Sequence, residues 1–117
     1  MNLSTECPYC HNSIICEVST ILARTQPLFV IICPNCKSRL IANAKLYRIV
    51  MITIFYPHYK NNKYFGEYNI RIDYSKKITD IFYKSIANLE FVSTINSVIN
   101  LNPDNIKNKL STYIVFS

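Results

Sequence analysis

The stretch Glu6-Cys7-Pro8-Tyr9-Cys10-His11-Asn12-Ser13 decides how this chain is read. Two thiols separated by two residues are either a redox dithiol or half of a metal site. A second half is present: Cys33-Pro34-Asn35-Cys36 repeats the Cys-Pro-x-Cys spacing after 22 intervening residues. A tetrahedral ion asks for four ligands, and two tight Cys-x-x-Cys turns deliver four thiolates in pairs. Proline after the first cysteine stiffens each turn. The spacing predicts one metal site, held by Cys7, Cys10, Cys33 and Cys36. Four thiolates leave no position open for water, so the site is expected to be structural.

The redox reading needs a different setting. Cys-Pro-Tyr-Cys is also the motif of glutaredoxins, which place it after a buried strand and at the start of a helix, where the helix N-terminus lowers the first thiol's pKa. Only six residues precede Cys7, and His11-Asn12-Ser13-Ile14-Ile15 after it is strand-like.

Residues 7–44 resemble the zinc ribbon family, whose two Cys-Pro-x-Cys knuckles are joined by a β-hairpin. The resemblance implies one structural Zn2+ and covers about a third of the chain. The chain departs from the family where His11 and Lys37 follow the knuckles, since ribbons often carry glycine there for a left-handed backbone. Ile32-Cys33-Pro34-Asn35-Cys36-Lys37, followed by Leu40-Ile41-Ala42-Asn43-Ala44, is similar to the small phage zinc-finger translational activators of the Com type, which bind messenger RNA. Iron is the alternative metal, because rubredoxins also use two such turns. Their Gly-rich knuckles are absent here, and zinc is preferred.

The bulk properties set bounds. The chain has 117 residues, half of them hydrophobic, which suits one compact domain or two small ones and not a disordered polypeptide. A bias toward Asn, Ile, Lys and Tyr points to an AT-rich genome of the viral, phage or low-GC bacterial kind. The net charge of +6 favours polyanions or an acidic protein face. A disulfide scaffold is disfavoured, because four of the five cysteines fall in tight pairs and Met1-Asn2-Leu3-Ser4-Thr5-Glu6-Cys7 lacks the features of a signal peptide. A reducing compartment is expected, the cytoplasm, or the nucleus if the source is eukaryotic. The longest apolar runs fall far short of the ~20 residues that span a bilayer, so no membrane partner is expected.

The predicted fold class is α+β, an N-terminal zinc ribbon over residues 1–45 followed by a β-hairpin plus amphipathic helix module over 46–117. In the ribbon, residues 13–18, 28–32 and 39–42 read as strands. In the second module, residues 46–56 read as a strand ended by Pro57, residues 58–67 as a connection, and residues 68–74 as a half-buried alternating strand. Ile78, Ile81, Phe82, Ile86, Leu89, Val92, Ile95 and Ile99 follow helical spacing, with Ser75 as the N-cap and Asn102-Pro103 as the stop. A short helix to about Leu110 and a last strand over 113–116 complete the expectation.

Residues 56–77 interleave aromatic rings with cations, a pattern that suits phosphates and unpaired bases. The candidate nucleic-acid contacts are Tyr59, Lys60, Lys63, Tyr64, Phe65, Arg71, Lys76 and Lys77, joined by Lys37 and Arg39 of the ribbon. The competing reading is a hairpin whose tyrosines cover a small core while its lysines stay solvated. The carboxylates are scattered, and the single glycine rules out a Gly-rich phosphate loop. The expectation is a non-enzymatic zinc protein with no small-molecule substrate, binding RNA or single-stranded DNA in transcription or translation. The alternative is an adaptor or small zinc-ribbon subunit that docks on a polymerase, a ribosome or host machinery.

Overall fold

The computed structural model describes residues 2–17, 25–46, 48–99, 106, 108 and 110. The chain divides into two compact units, Met1–Ile52 and Thr53–Ser117. The described elements are eight strands: β1 (Asn2–Glu6), β2 (Ser13–Glu17), β3 (Leu28–Ile32), β4 (Arg39–Asn43), β5 (Arg48–Lys60), β6 (Lys63–Asp73), β7 (Ile78–Lys84) and β8 (Leu89–Ile95).

The first unit is built from two short antiparallel hairpins. β1 pairs with β2 from Asn2↔Glu17 to Glu6↔Ser13, and β3 pairs with β4 from Leu28↔Asn43 to Ile32↔Arg39. Alternation sets their faces. Leu3, Ile14, Ile31, Leu40, Ala42 and Ala44 turn inward and are buried. Each hairpin turn is one Cys-Pro-x-Cys knuckle, so the strands fix the positions of the metal-ligating residue types. β1 was not expected from sequence, because Asn2, Ser4 and Glu6 leave only Leu3 as an apolar signal.

In the second unit the strand order β5-β6-β7-β8 follows the chain. β6 pairs with β7 from Glu67↔Lys84 to Asp73↔Ile78, and β7 with β8 from Lys84↔Leu89 to Thr79↔Ile95. Tyr68, Ile70, Ile72, Thr79 and Ile81 share the buried face of β6 and β7. Thr79 is fully buried and satisfies its hydroxyl by donating to the Ser97 carbonyl (2.8 Å) and accepting from the Ile99 N–H (3.4 Å). This pair of bonds anchors the segment that leaves β8. Ile106 and Leu110 are also buried.

The expected α+β class with its amphipathic helix module is overturned: the described architecture is nearly all β. Residues 78–95 form β7, a turn and β8. Ile78, Thr79, Ile81, Phe82 and Tyr83, then Phe91, Val92, Thr94 and Ile95, are β-branched or aromatic and fit a pleated surface better than a helix. A bulge hid the alternation. Ile81 faces Ser93 while Phe82 faces Phe91, so Val92 is the extra residue and the period-two pattern slips by one. That slip lets the apolar positions mimic a helical stripe. The reversal is closed by Ser85, whose N–H donates to the Asn88 carbonyl at 3.0 Å.

Ser75 is not a helix cap. Asp73 Oδ1 accepts the N–H groups of Ser75 (2.9 Å) and Lys76 (3.0 Å), and Lys77 has φ 57°, which together make the β6–β7 turn. The expected connection over 58–67 is strand instead. β5 runs through Pro57 to Lys60, and β6 starts at Lys63. Asn61 and Asn62 have φ 52° and 63°, the two positive values of a type I′ turn. The expected short helix to Leu110 and the strand over 113–116 lie outside the described residues apart from Ile106, Asn108 and Leu110.

Candidate metal centre and basic aromatic hairpin

The two knuckles are near-copies in backbone geometry. The Cys7 N–H donates to the Asn12 carbonyl and the Cys33 N–H to the Ser38 carbonyl, both at 2.9 Å. The His11 N–H donates to Cys7 (2.9 Å) and the Lys37 N–H to Cys33 (3.0 Å). The residue after each second cysteine is left-handed, with φ 64° at His11 and 63° at Lys37. Glycine is therefore not required for this turn, though a side chain there costs about 1–2 kcal/mol of backbone strain. Local contacts accompany that conformation. His11 Nδ1 lies 2.9 Å from Glu6 Oε1, and Lys37 Nζ donates to the Pro34 carbonyl at 2.9 Å.

The four sulfurs converge. Cys7, Cys10, Cys33 and Cys36 place their Sγ atoms within 4.8 Å of one another. Cys7 lies 3.6 Å from Cys36, and Cys10 3.5 Å from Cys33, so close contacts run between knuckles. A tetrahedron with metal–sulfur bonds of ~2.3 Å has sulfur–sulfur edges of about 3.8 Å. All four thiols are free, and separations of this size are far above the ~2.05 Å of a disulfide. The cluster fits one four-coordinate metal ion and is consistent with a zinc-ribbon-like site. Cys7 and Cys33 are fully buried, whereas Cys10 and Cys36 are half-buried. The fifth cysteine, Cys16, lies on β2 outside the cluster. The chain after Cys10 enters β2 and not a helix, so the helix N-terminus that activates a glutaredoxin thiol is missing at this turn.

The environment of the outer sulfurs differs. The Asn12 N–H and then the Asn35 side chain draw the Cys10 thiol from 9.0 down to about 6. Burial pushes the Cys36 thiol up to about 12, against the opposing pull of the Ser38 hydroxyl. Ser38 is 3% exposed, and its Oγ lies 3.0 Å from Cys36 Sγ and 3.6 Å from Cys7 Sγ. Neither Ser38 nor Asn35 was singled out from sequence. Aligning the two knuckles, Cys7 to Asn12 against Cys33 to Ser38, was the available signal.

The residues proposed for nucleic acid fall into separate places. Tyr59, Lys60, Lys63, Tyr64 and Phe65 are together at the β5–β6 tip and exposed. Tyr59 and Tyr64 meet edge to face, ring centroids 5.8 Å apart. Lys76 and Lys77 are not with them. They lie in the turn at the other end of β6, 11 residues long, or roughly 35 Å of extended chain away. Arg71 stacks over Phe82 at 4.3 Å and is half-buried. Lys37 and Arg39 are exposed in the first unit, Lys37 at its knuckle and Arg39 opposite Ile32.

The sequence reading missed what supports that tip. His58 lies on β5 among Phe65, Tyr68 and Tyr83, with Nδ1 3.1 Å from Tyr83 Oη. A shallow cleft of about 230 Å³ is lined by Tyr64, Gly66, Glu67, Lys84, Ser85 and Ile86, which adds Lys84 and the β7–β8 turn to the same end. No ion pair engages Lys60, Lys63 or Lys84 among the described residues. No helix among the described residues is long and apolar enough to cross a membrane. Comparisons of the chain with protein-family models, curated proteins and solved structures found no match.

Proposed function

We propose that the chain is a non-enzymatic zinc protein that binds RNA or single-stranded DNA through the β5–β6 hairpin tip, in transcription or translation. The observation that carries this reading is the tip itself. The Tyr59–Tyr64 pair stands exposed between Lys60 and Lys63, and no carboxylate pairs with either lysine among the described residues. Exposed aromatic faces stack on unpaired bases for about 1–3 kcal/mol each, and free ammonium groups hold phosphates. Zinc is favoured as the ion because four thiolates make a closed tetrahedral site. The metal would shape the first unit without doing chemistry. The likeness of residues 32–44 to phage Com-type activators supports RNA, a viral or phage source and a cytoplasmic setting.

The test is fluorescence anisotropy with a labelled single-stranded RNA across a salt series. The expected result is an affinity that falls steeply with salt through counterion release, and a shallower salt slope in Lys60→Ala/Lys63→Ala. No binding at low salt would reject the reading.

A second reading, docking on a larger protein assembly, has its own observation. Leu28, Val30 and Ile32 lie on one face of β3 and are each about half-exposed. An apolar stripe of this kind suits a protein partner, and such binding would be far less sensitive to salt.

A further inference from the structure

The two knuckles share a backbone but not a second layer. At the sixth position, Asn12 is exposed and Ser38 is buried. Once a metal has taken the four thiols as thiolates, the Ser38 hydroxyl is the donor and the sulfurs accept. Its single proton belongs on Cys36 at 3.0 Å, with Cys7 of the other knuckle next at 3.6 Å. Each outer sulfur also meets the backbone N–H two residues on, Asn12 at Cys10 and Ser38 at Cys36, but the side-chain donor at Cys10 is Asn35, which is exposed and in competition with water. Cys7 and Cys33 are sealed from solvent.

Resting on the metal-site reading above, we infer that Ser38 is a positioning residue that holds the Cys36 sulfur, and that metal exchange and sulfur modification start at Cys10. A sealed hydroxyl bond lowers the energy of the sulfur lone pair it meets, so that sulfur leaves the metal last. The outward sulfur without a sealed donor leaves first, and an electrophile or oxidant reaches it there.

The experiment uses the full chain loaded with Co2+ for spectroscopy and with Zn2+ for release. Metal loss to excess chelator is timed, and the order of iodoacetamide labelling is read by mass spectrometry. In the unaltered protein the first label is expected on Cys10. Ser38→Ala is expected to release metal about 10-fold faster. Its sulfur-to-cobalt charge-transfer band should move to lower energy, and Cys36 should label alongside Cys10. Ser38→Thr, which keeps the hydroxyl, should restore both the rate and the band. First labelling on Cys36 in the unaltered protein would overturn the inference without any variant. So would Ser38→Ala with unchanged release and an unmoved band. A chain that takes up neither Co2+ nor Zn2+ would reject the metal reading itself, a distinct result.

Discussion

The sulfur of Cys7 lies 3.6 Å from the sulfur of Cys36, although 29 residues separate them. Two hairpins of five-residue strands supply little apolar surface of their own, and their turns come together at these sulfurs. In such a unit the metal's binding energy becomes folding energy, on the order of 10 kcal/mol for structural zinc. A chelator should therefore unfold the first unit, seen as loss of protected amides in residues 2–17 and 28–43 by hydrogen exchange. Cys33→Ser should do the same. Elemental analysis should find about one metal per chain. Full amide protection after metal removal would contradict this.

Acid should release the metal, because the proton and the ion compete for the same sulfurs. Cys10 is drawn from 9.0 down to about 6, so folding favours its thiolate. That contribution is complete above the ordinary thiol range and is lost as pH falls through about 6. Cys36 is pushed the other way, to about 12, so the ion must displace its proton and affinity rises with pH. Release to a chromophoric chelator should increase as pH falls from neutral. A flat profile down to about pH 4 would contradict the assignment.

Gly66 is the only glycine in the chain, and it is needed for space and not for its φ. A Cβ there would meet the Lys84 carbonyl and stand 2.7 Å from Tyr83 Oη, the atom that reaches His58. The backbone oxygen cannot turn aside as a side chain would. Gly66→Ala should destabilise the second unit by about 1–3 kcal/mol, measured by urea unfolding. An unchanged midpoint would mean that β6 and β7 lie further apart at this point than described.

The β5–β6 turn offers a milder test. Asn61 and Asn62 both hold positive φ, and asparagine tolerates this better than most residues. Asn62→Gly should leave stability equal or slightly higher. Asn62→Val, whose branched side chain resists the left-handed region, should cost about 1–2 kcal/mol. If valine is accepted without loss in thermal unfolding, the type I′ turn is not the one present.

The sequence by itself determined the four-cysteine cluster that suits a metal ion. The Cys-x-x-Cys spacing is a local property, and each such turn presents two sulfurs once the strands that flank it pair, β1 with β2 and β3 with β4. It also marked β2, β3 and β4 through short apolar runs, and the strand character of residues 48–56 and 68–73. Tertiary structure decided the rest. Residues 78–99 carry an apolar pattern compatible with a helix or a bulged hairpin, and Phe82 opposite Phe91 favours the hairpin through a pairing invisible along the chain. Lys76 and Lys77 look adjacent to the tyrosines in sequence, yet the extended β6 carries them to its far end. Lys84 is 21 positions from Lys63 and is carried to the near end by the return of β7. Ser38 is one of many serines until burial leaves its hydroxyl two sulfurs for partners. Spacing fixes which atoms can share a turn, whereas pairing across strands fixes which turns share a site.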